Sequence, residues 1–403
     1  NPDFGQVEAD PDTIELLDTE RFLEERRPFF REGGELFNTP MNIYYSRRFA
    51  DIEGGAKITG YGKNWALGLL DIQGEISRED ELRKGNFMVG RFIHNLGESS
   101  HIGAFWTNSS RQDGSNTVGG LDSQIYLNTD TYVTAQVLTL RDSEGVETDD
   151  HSDHDAYAWE TSLRGGTKPW FFSLTYRDIT RGFRPDLGYI SRRNIRGPSS
   201  WINYRKDIPE GPIKNYSLRS NFSLYENNEE ETTLRDFRES FEITFRNELE
   251  FQLERADEFH APYQNRSNRF EIGYNKVDRW HSISGGYSKG VFQEVPYQEF
   301  SLDKPIKITD HLTTTIRGNF RLSHPDDGDE EEEWLWRWVT EYSFSEKGRL
   351  KITAEDTSER RNNFTVLFTW PVREYIDLYV LFNDYRTNGI DECGAFAKMV
   401  YRF

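Results

Sequence analysis

From about residue 40 onward, the chain alternates apolar and polar residues in stretches of about 9–15 residues, separated by turn-forming residues. In residues 312–322, Leu312, Ile316 and Phe320 share one face, whereas Arg317 and Arg321 share the other. A period of two is typical of a β-strand with one apolar and one polar face. The alternation therefore predicts an all-β chain of amphipathic strands.

The composition removes several other classes of protein. Apolar residues make up only 35% of the 403 residues, the aromatic share is 14% and the formal net charge is −20. So many aromatic residues exclude a disordered chain, and no apolar run reaches the roughly 18 residues of a membrane helix. The acidic balance argues against sequence-independent nucleic-acid binding. The single cysteine, Cys393, argues against a disulfide framework.

The polar strand faces must meet water, either outside a soluble sandwich or inside a membrane barrel. The connections favour the barrel because short turns, such as 62–64 and 246–248, alternate with longer loops. The expected long loops are 75–84, 109–115, 142–153, 178–195, 257–267 and 323–333. We predict a transmembrane antiparallel up-and-down β-barrel of about 20–22 strands in a bacterial outer membrane, with short periplasmic turns and long extracellular loops.

The last segment of the chain, AFAKMVYRF, adds a second indication. Met399, Tyr401 and Phe403 fall on one face of the strand that it predicts. Outer-membrane barrels typically end in an amphipathic strand with a terminal aromatic residue, which the barrel-assembly machinery recognises. We therefore predict that these three residues form an assembly signal. The alternative is a chain that merely ends in phenylalanine.

Five segments of the chain are distinctive; they read NPDFGQVEAD (1–10), RFLEERRPFFREGGELF (21–37), IYYSRR (43–48), GGAKITG (54–60) and FRPDLGYISR (183–192). These segments resemble a family of uncharacterised outer-membrane β-barrel proteins common in Bacteroidetes and related phyla. In that family the region follows a signal peptide and a β-sandwich similar to family-9 carbohydrate-binding modules. The resemblance implies a membrane barrel with an N-terminal periplasmic module. It supplies no catalytic residues to carry over.

Residues 1–40 are expected to form a periplasmic or plug-like segment, and residues 41–403 the barrel. A barrel of about 20 strands has a lumen too wide for strand side chains to fill, so it stays open or needs a plug. In this hypothesis the cations of the segment pair with acidic residues of the lumen, and polar strand faces set charge selectivity. The segment cations are Arg26, Arg27 and Arg31, and the lumen residues are Arg317, Arg321, Arg337 and Glu341. The alternative is a linker to the preceding module.

One acidic loop is a candidate metal-binding site. Asp149, Asp150, Asp153 and Asp155 lie close together in sequence, beside His151 and His154. Carboxylate oxygens suit Ca²⁺, whereas the histidines would favour a transition metal. The spacing matches no EF-hand loop, so a solvated acidic loop is the alternative. No other cofactor is expected. In an external loop such carboxylates would share divalent cations with lipopolysaccharide.

No phosphate-binding loop, nucleophile elbow or dinucleotide fingerprint occurs, and no acid–base pair stands out among the carboxylates. The sequence therefore predicts a non-enzymatic protein. Its function is expected to be a transport channel, or the membrane component of a larger export or uptake assembly with a periplasmic or surface protein partner. The first alternative is a surface barrel that binds a glycan or a protein in polysaccharide utilisation. The second is a secreted soluble β-rich enzyme acting on polysaccharide.

Overall fold

The computed structural model describes residues 20, 22–78, 81–143, 156–325, 328–344, 348–358, 362–373, 376–387 and 390–401. Within these residues, 21 strands form one antiparallel up-and-down sheet, so the predicted fold class is confirmed. In chain order the strands are β1 Phe49–Tyr61, β2 Trp65–Arg78, β3 Glu81–Leu96, β4 Ser100–Arg111, β5 Ser115–Asn128, β6 Thr131–Asp142, β7 Tyr157–Gly165, β8 Trp170–Ile179, β9 Ile195–Asp207, β10 Ile213–Glu226, β11 Thr232–Phe245, β12 Leu249–His260, β13 Tyr263–Tyr274, β14 Ile283–Phe292, β15 Val295–Lys307, β16 Leu312–Ser323, β17 Glu331–Ser343, β18 Arg349–Thr357, β19 Asn362–Arg373, β20 Ile376–Thr387 and β21 Ile390–Tyr401.

In the described residues, helical structure is confined to short segments. The α-helix α1 spans Pro28–Arg31, and single 3-10 turns span Gly34–Phe37, Ser46–Arg48 and Arg279–His281. All helical segments in the described part of the chain are too short to cross a membrane. The first strand begins at Phe49 and not at residue 41, so the N-terminal segment is longer than the sequence suggested.

The chain divides into two compact units. The main parts of unit 1 are Leu17–Ile202 and Asn221–Arg235, and those of unit 2 are Asn203–Ser220 and Asp236–Phe403. In unit 1 we call the strand face that carries Ile72 the inner face; its buried residues join one apolar cluster. In unit 2 the inner face is the one that carries Arg317. The opposite face in each unit, which exposes large apolar side chains such as Trp65 and Trp336, is the outer face.

Three connections that we expected to be long are short turns. Strand β2 runs to Arg78 and β3 begins at Glu81; likewise β4 and β5, and β12 and β13, are joined by short turns. The polar residues there continue the ladder as cross-strand charge pairs, with Glu75 opposite Lys84 and Asp257 opposite Arg266. Such pairs stabilise a hairpin, so local polarity did not distinguish strand from loop.

Long connections remain at one end of the strands, which we call the loop end. They follow β6, β8 and β16 and span 143–156, 180–194 and 324–330. The other end of the strands has mostly shorter turns, such as 62–64 after β1 and 166–169 after β7. This asymmetry is typical of an outer-membrane barrel with short periplasmic turns and long extracellular loops.

Candidate functional site

The N-terminal insert, which we define as residues 22–48, precedes β1 and packs on the inner face of unit 1. Pro28 occupies the first turn of α1, where its fixed φ suits a helix and its missing N–H is not needed. Gly33 then adopts a φ of 63°, and a Cβ there would lie 3.2 Å from the methyl group of Thr59. The insert returns on itself, because the backbone N–H of Leu23 donates to the hydroxyl of Tyr45 at 2.8 Å.

The insert supplies part of an apolar core. Phe30, Leu36, Phe37, Met41 and Ile43 are buried and cluster with inner-face residues of β2 to β6. These strand residues include Leu70, Ile72, Phe87, Val89, Phe105, Val118 and Leu138. The inner face of unit 1 is therefore largely apolar at the insert, and not the uniformly polar lumen face that the sequence suggested.

Hydrogen bonds fix the middle of the insert to the strands. The Lys57 ammonium on β1 donates to the backbone carbonyls of Phe29 and Glu32, which lie at the end of α1. The backbone N–H of Met41 donates to Oε1 of the buried Gln136 on β6 at 2.7 Å. Buried backbone groups outside regular structure need such partners, so these contacts specify one position of the insert.

Arg27 organises the start of the insert. Its guanidinium donates to the carbonyl oxygens of Phe49 at 2.9 Å and Ser46 at 2.6 Å. It also donates to Glu25 Oε2 at 2.7 Å. Burial alone raises the pKa of the Glu25 carboxyl, but the hydrogen bonds and charge of Arg27 outweigh it and hold that pKa below its usual range.

The sequence predicts that arginines of the insert pair with carboxylates on the strands. For Arg27 the structure shows a different partner. The carboxylate on Arg27 comes from Glu25 within the insert, because the two residues are neighbours in sequence and share one buried corner. The side chains of Arg26 and Arg31 lie exposed. Contacts of the insert with the strands include the hydrogen bond from Arg27 to the Phe49 carbonyl, as well as backbone groups and apolar side chains.

The connection between β8 and β9, residues 180–194, is here called the inward loop because Phe183 and Leu187 are fully buried in the core of unit 1. The insert pairs with it through backbone groups: the Tyr45 N–H donates to the Leu187 carbonyl at 2.7 Å. The Arg48 Nε donates to the Gly188 carbonyl at 3.0 Å, and its two terminal nitrogens bind Glu20.

Asp186 connects the inward loop to three strands, through its carboxylate to two of them and through its backbone N–H to the third. Asp186 accepts from Arg78 on β2 at 2.6 Å and from Arg111 on β4, and its own N–H donates to Asn116 on β5 at 3.1 Å. The Asp186 side chain is 1% exposed. The sequence pattern did not identify Asp186 as a site residue, although the FRPDLGYISR motif contains it.

A polar group lies next to the apolar core on the inner face. Arg91 on β3 and Asp122 on β5 form a buried ion pair, with Nη2 and Oδ2 at 2.8 Å. Between them on β4, Gly103 leaves room for the guanidinium, since a Cβ there would lie 2.5 Å from Arg91 Nη1. Glu160 on β7 and Arg177 on β8 form a second pair, with Nε and Oε2 at 3.0 Å.

We expect the Arg91–Asp122 pair to show strong coupling in a double-mutant cycle. Arg91→Met or Asp122→Leu alone leaves a buried charge unpaired and should lower the free energy of unfolding by about 3–5 kcal/mol. The double variant should lose far less than the sum. Urea unfolding in lipid vesicles measures these differences.

The matched control for this cycle is the pair Lys307–Asp310, whose side chains are 40% and 88% exposed. Its coupling should stay below about 1 kcal/mol because water screens exposed charges. Additive losses for Arg91→Met and Asp122→Leu would contradict the buried pairing.

In unit 2, the charged residues predicted to line a lumen lie on the inner face. Arg321 contacts Glu299 on one neighbouring strand at 2.7 Å and Glu333 on the other at 3.2 Å. Arg317 pairs with Asp303 and Arg337 with Glu355, so acids flank two adjacent arginines along one row. Glu341 is exposed opposite Lys351 in the register. A channel role for these residues stays a prediction.

The other predicted sites fall partly outside the structure. Asp149, Asp150, Asp153 and Asp155 lie outside the described residues, as does Phe403. No cluster of metal-binding side chains occurs within the described ranges. Met399 is 65% exposed on β21, and Tyr401 is the last residue of that strand. The metal and assembly hypotheses therefore stay predictions.

The comparison with protein-family models matches only the start of the chain. The family whose model matches residues 1–60 is described as a domain of unknown function, DUF5916. This range covers the whole insert and most of β1. A comparison with curated protein sequences found no match.

Structural comparison identifies the fold. The siderophore receptor PirA from Pseudomonas aeruginosa superposes with a TM-score of 0.58 at 9% identity, over 86% of this chain and 75% of that chain. The ferric-catecholate import receptor Fiu from E. coli K12 gives a TM-score of 0.47 at 8% identity, over 87% of this chain and 72% of that one. The chain therefore has the antiparallel up-and-down β-barrel fold of outer-membrane proteins.

Proposed function

We propose that the protein is a non-enzymatic outer-membrane transport barrel whose N-terminal insert restricts passage through unit 1. The observation that carries this proposal is the burial of insert residues against the inner face, together with the inward loop. Both segments occupy space that an open channel would leave to water. The charged inner face of unit 2 supports a polar path for solutes.

The insert is a folded segment that packs on the strands. This suits a segment that narrows the channel better than it suits a linker. Its apolar side chains complete a core, while the end of α1 is held by a single lysine of β1, Lys57. In addition, Glu35 contacts the Tyr61 hydroxyl at 3.3 Å, and both residues are exposed. A hinge at these exposed contacts would let part of the insert move while its apolar core stays packed.

A crosslinking experiment tests this function. Glu35→Cys and Tyr61→Cys, in a Cys393→Ser background, place thiols on the insert and on β1. We expect the reduced protein to carry ion current in planar bilayers and to admit solutes into liposomes. A short bis-maleimide should then lower both, because the insert can no longer move from β1.

The matched control is Ile58→Cys with Leu69→Cys, which oppose each other on the outer face of β1 and β2. Crosslinking this pair should leave current and uptake unchanged. Absence of current and uptake in every uncrosslinked protein would refute the transport function. Equal current before and after crosslinking of the Glu35 and Tyr61 positions would refute gating by the insert.

We also propose, from the resemblance of residues 1–60, that the barrel belongs to a Bacteroidetes-type protein in which a family-9-like carbohydrate-binding module precedes it. The match to DUF5916 is consistent with this proposal. It would make the barrel the membrane component of a larger assembly. The barrel fold favours this proposal over the alternative of a secreted soluble enzyme.

A further inference from the structure

The outer face of unit 2 has a sharp boundary between an apolar row and a polar row. Leu253, Phe270, Tyr287 and Phe300 are register partners across β12 to β15. The next outward-facing row toward the loop end consists of Arg255, Asn268, Lys289 and Gln298. Such a change from an apolar row to a neighbouring polar and charged row is expected where the hydrocarbon layer meets the lipid head groups.

An open groove of about 830 Å³ lies at this boundary. Its apolar lining includes Leu253, Phe270 and Tyr287, and its cationic lining consists of Arg255, Arg266, Arg269 and Lys289. The groove therefore combines a surface suited to acyl chains with positive charge at one end. Neither feature alone would indicate a particular occupant.

The charges of the groove do not cancel one another. Arg266 pairs with Asp257 at 3.1 Å and Arg269 pairs with Glu271 at 3.3 Å, and the two carboxylates in the lining are Glu239 and Glu254. Within the described ranges, no carboxylate lies within ion-pair distance of Arg255 or Lys289, which are both exposed. The groove lining therefore holds four cations and two carboxylates, in a chain whose net charge is −20.

The geometry of the row suits a phosphate. Arg255 and Lys289 lie on either side of Asn268, and adjacent strands are about 4.8 Å apart, so the two cations are about 10 Å apart. Between them the Asn268 amide supplies a further hydrogen-bond donor. Long cationic side chains at the membrane boundary extend their charge to the head-group layer while their stems cover apolar surface.

The outer face of unit 1 has a different boundary. Its row at the corresponding change from apolar to polar residues reads Asp71, Met88, Asn108, Thr117 and Arg141. The Asp71 carboxylate there is already bound by Asn86 at 2.7 Å. This row of unit 1 carries one cation and one carboxylate, whereas the row on β12 to β15 carries two cations.

We propose that this groove binds a phosphorylated lipid of the outer leaflet. The acyl chains lie on Leu253, Phe270 and Tyr287, and a head-group phosphate is bound by Arg255, Lys289 and Asn268. Charge-assisted hydrogen bonds from two cations to one lipid would hold it more tightly than the surrounding bilayer. This site is independent of the transport function proposed above.

The test uses the variant Arg255→Gln/Lys289→Gln and a matched control, Lys84→Gln/Arg141→Gln, which removes the same charge from the outer face of unit 1. Each full-length protein is reconstituted in phosphatidylcholine vesicles containing a minor fraction of lipid A. It is then extracted in mild detergent, and native mass spectrometry counts the lipid A that remains bound. Heat-modifiable migration on gels confirms that each variant is folded.

We expect wild type and control to retain one lipid A per chain, and the Arg255/Lys289 variant to retain about tenfold less. Lipid A without phosphate groups should be lost from all three proteins. Equal retention by the Arg255/Lys289 variant and the wild type would overturn the proposal. Equal retention of the phosphate-free lipid would also overturn it, since acyl contacts alone would then account for binding.

Discussion

Phe30→Ala should lower the free energy of unfolding by about 3–5 kcal/mol, because it removes a large buried side chain and leaves a cavity. Phe30 is 4% exposed and its ring stacks on Phe49, with ring centroids 5.6 Å apart. The Arg27 guanidinium lies 4.4 Å from the same ring, so the substitution also loosens the buried end of the insert. Tryptophan fluorescence during urea unfolding in lipid vesicles measures the loss.

The control for this prediction is Phe92→Ala on the outer face of β3, where the side chain is 45% exposed. Lipid can fill the space that this substitution leaves, so its cost should be clearly smaller. Similar losses for both variants would show that the insert does not belong to the cooperative core of unit 1. A large loss for Phe30→Ala would also explain why simple deletion of the insert is a poor test of channel opening: the fold itself would fail.

Asp186→Asn should cost about 3–5 kcal/mol, because it leaves the buried guanidinium groups of Arg78 and Arg111 without their shared carboxylate. The inward loop should then open more often. Trypsin should cleave folded protein faster at Arg181, Arg192 or Arg193, which lie in that loop. Mass spectrometry of the early fragments identifies the cleavage sites.

Asp310→Asn is the matched control, since the Asp310 side chain is 88% exposed and pairs with Lys307 at 2.7 Å. Its cost should be below about 1 kcal/mol, and cleavage in the inward loop should not change. If Asp186→Asn leaves both the unfolding free energy and the tryptic rate at wild-type values, Asp186 does not hold the loop.

Much of the architecture follows from local pattern. The alternation in residues 312–322 placed Arg317 and Arg321 on one face and Phe320 on the other, and β16 has this arrangement. Alternation is sufficient here because successive strand residues must point to opposite faces. The predicted loops were less accurate. Polar hairpin ends such as Glu75 and Lys84 resemble loops in composition but continue the ladder as charge pairs.

The contacts of the insert could not be predicted in the same way. Met41 forms a hydrogen bond with Gln136, and Arg48 forms one with Gly188. The partners are far apart in the sequence, and no spacing pattern predicts that they meet. Asp186 is one of many acidic residues, and only its position against two arginines makes it distinctive. The apolar inner face of unit 1 was also unexpected, because residues such as Leu70 and Leu69 lie on opposite faces of β2 and both are apolar.

The sequence by itself therefore determined the β-barrel class, the approximate number of strands and the faces of the most regular strands, because these depend on a period of two between neighbouring residues. The tertiary structure alone decided which inner faces are covered. It also decided that Asp186 joins Arg78 and Arg111, and that Arg255 and Lys289 share one boundary row. These contacts join residues far apart in the chain, and only the register between strands brings them together.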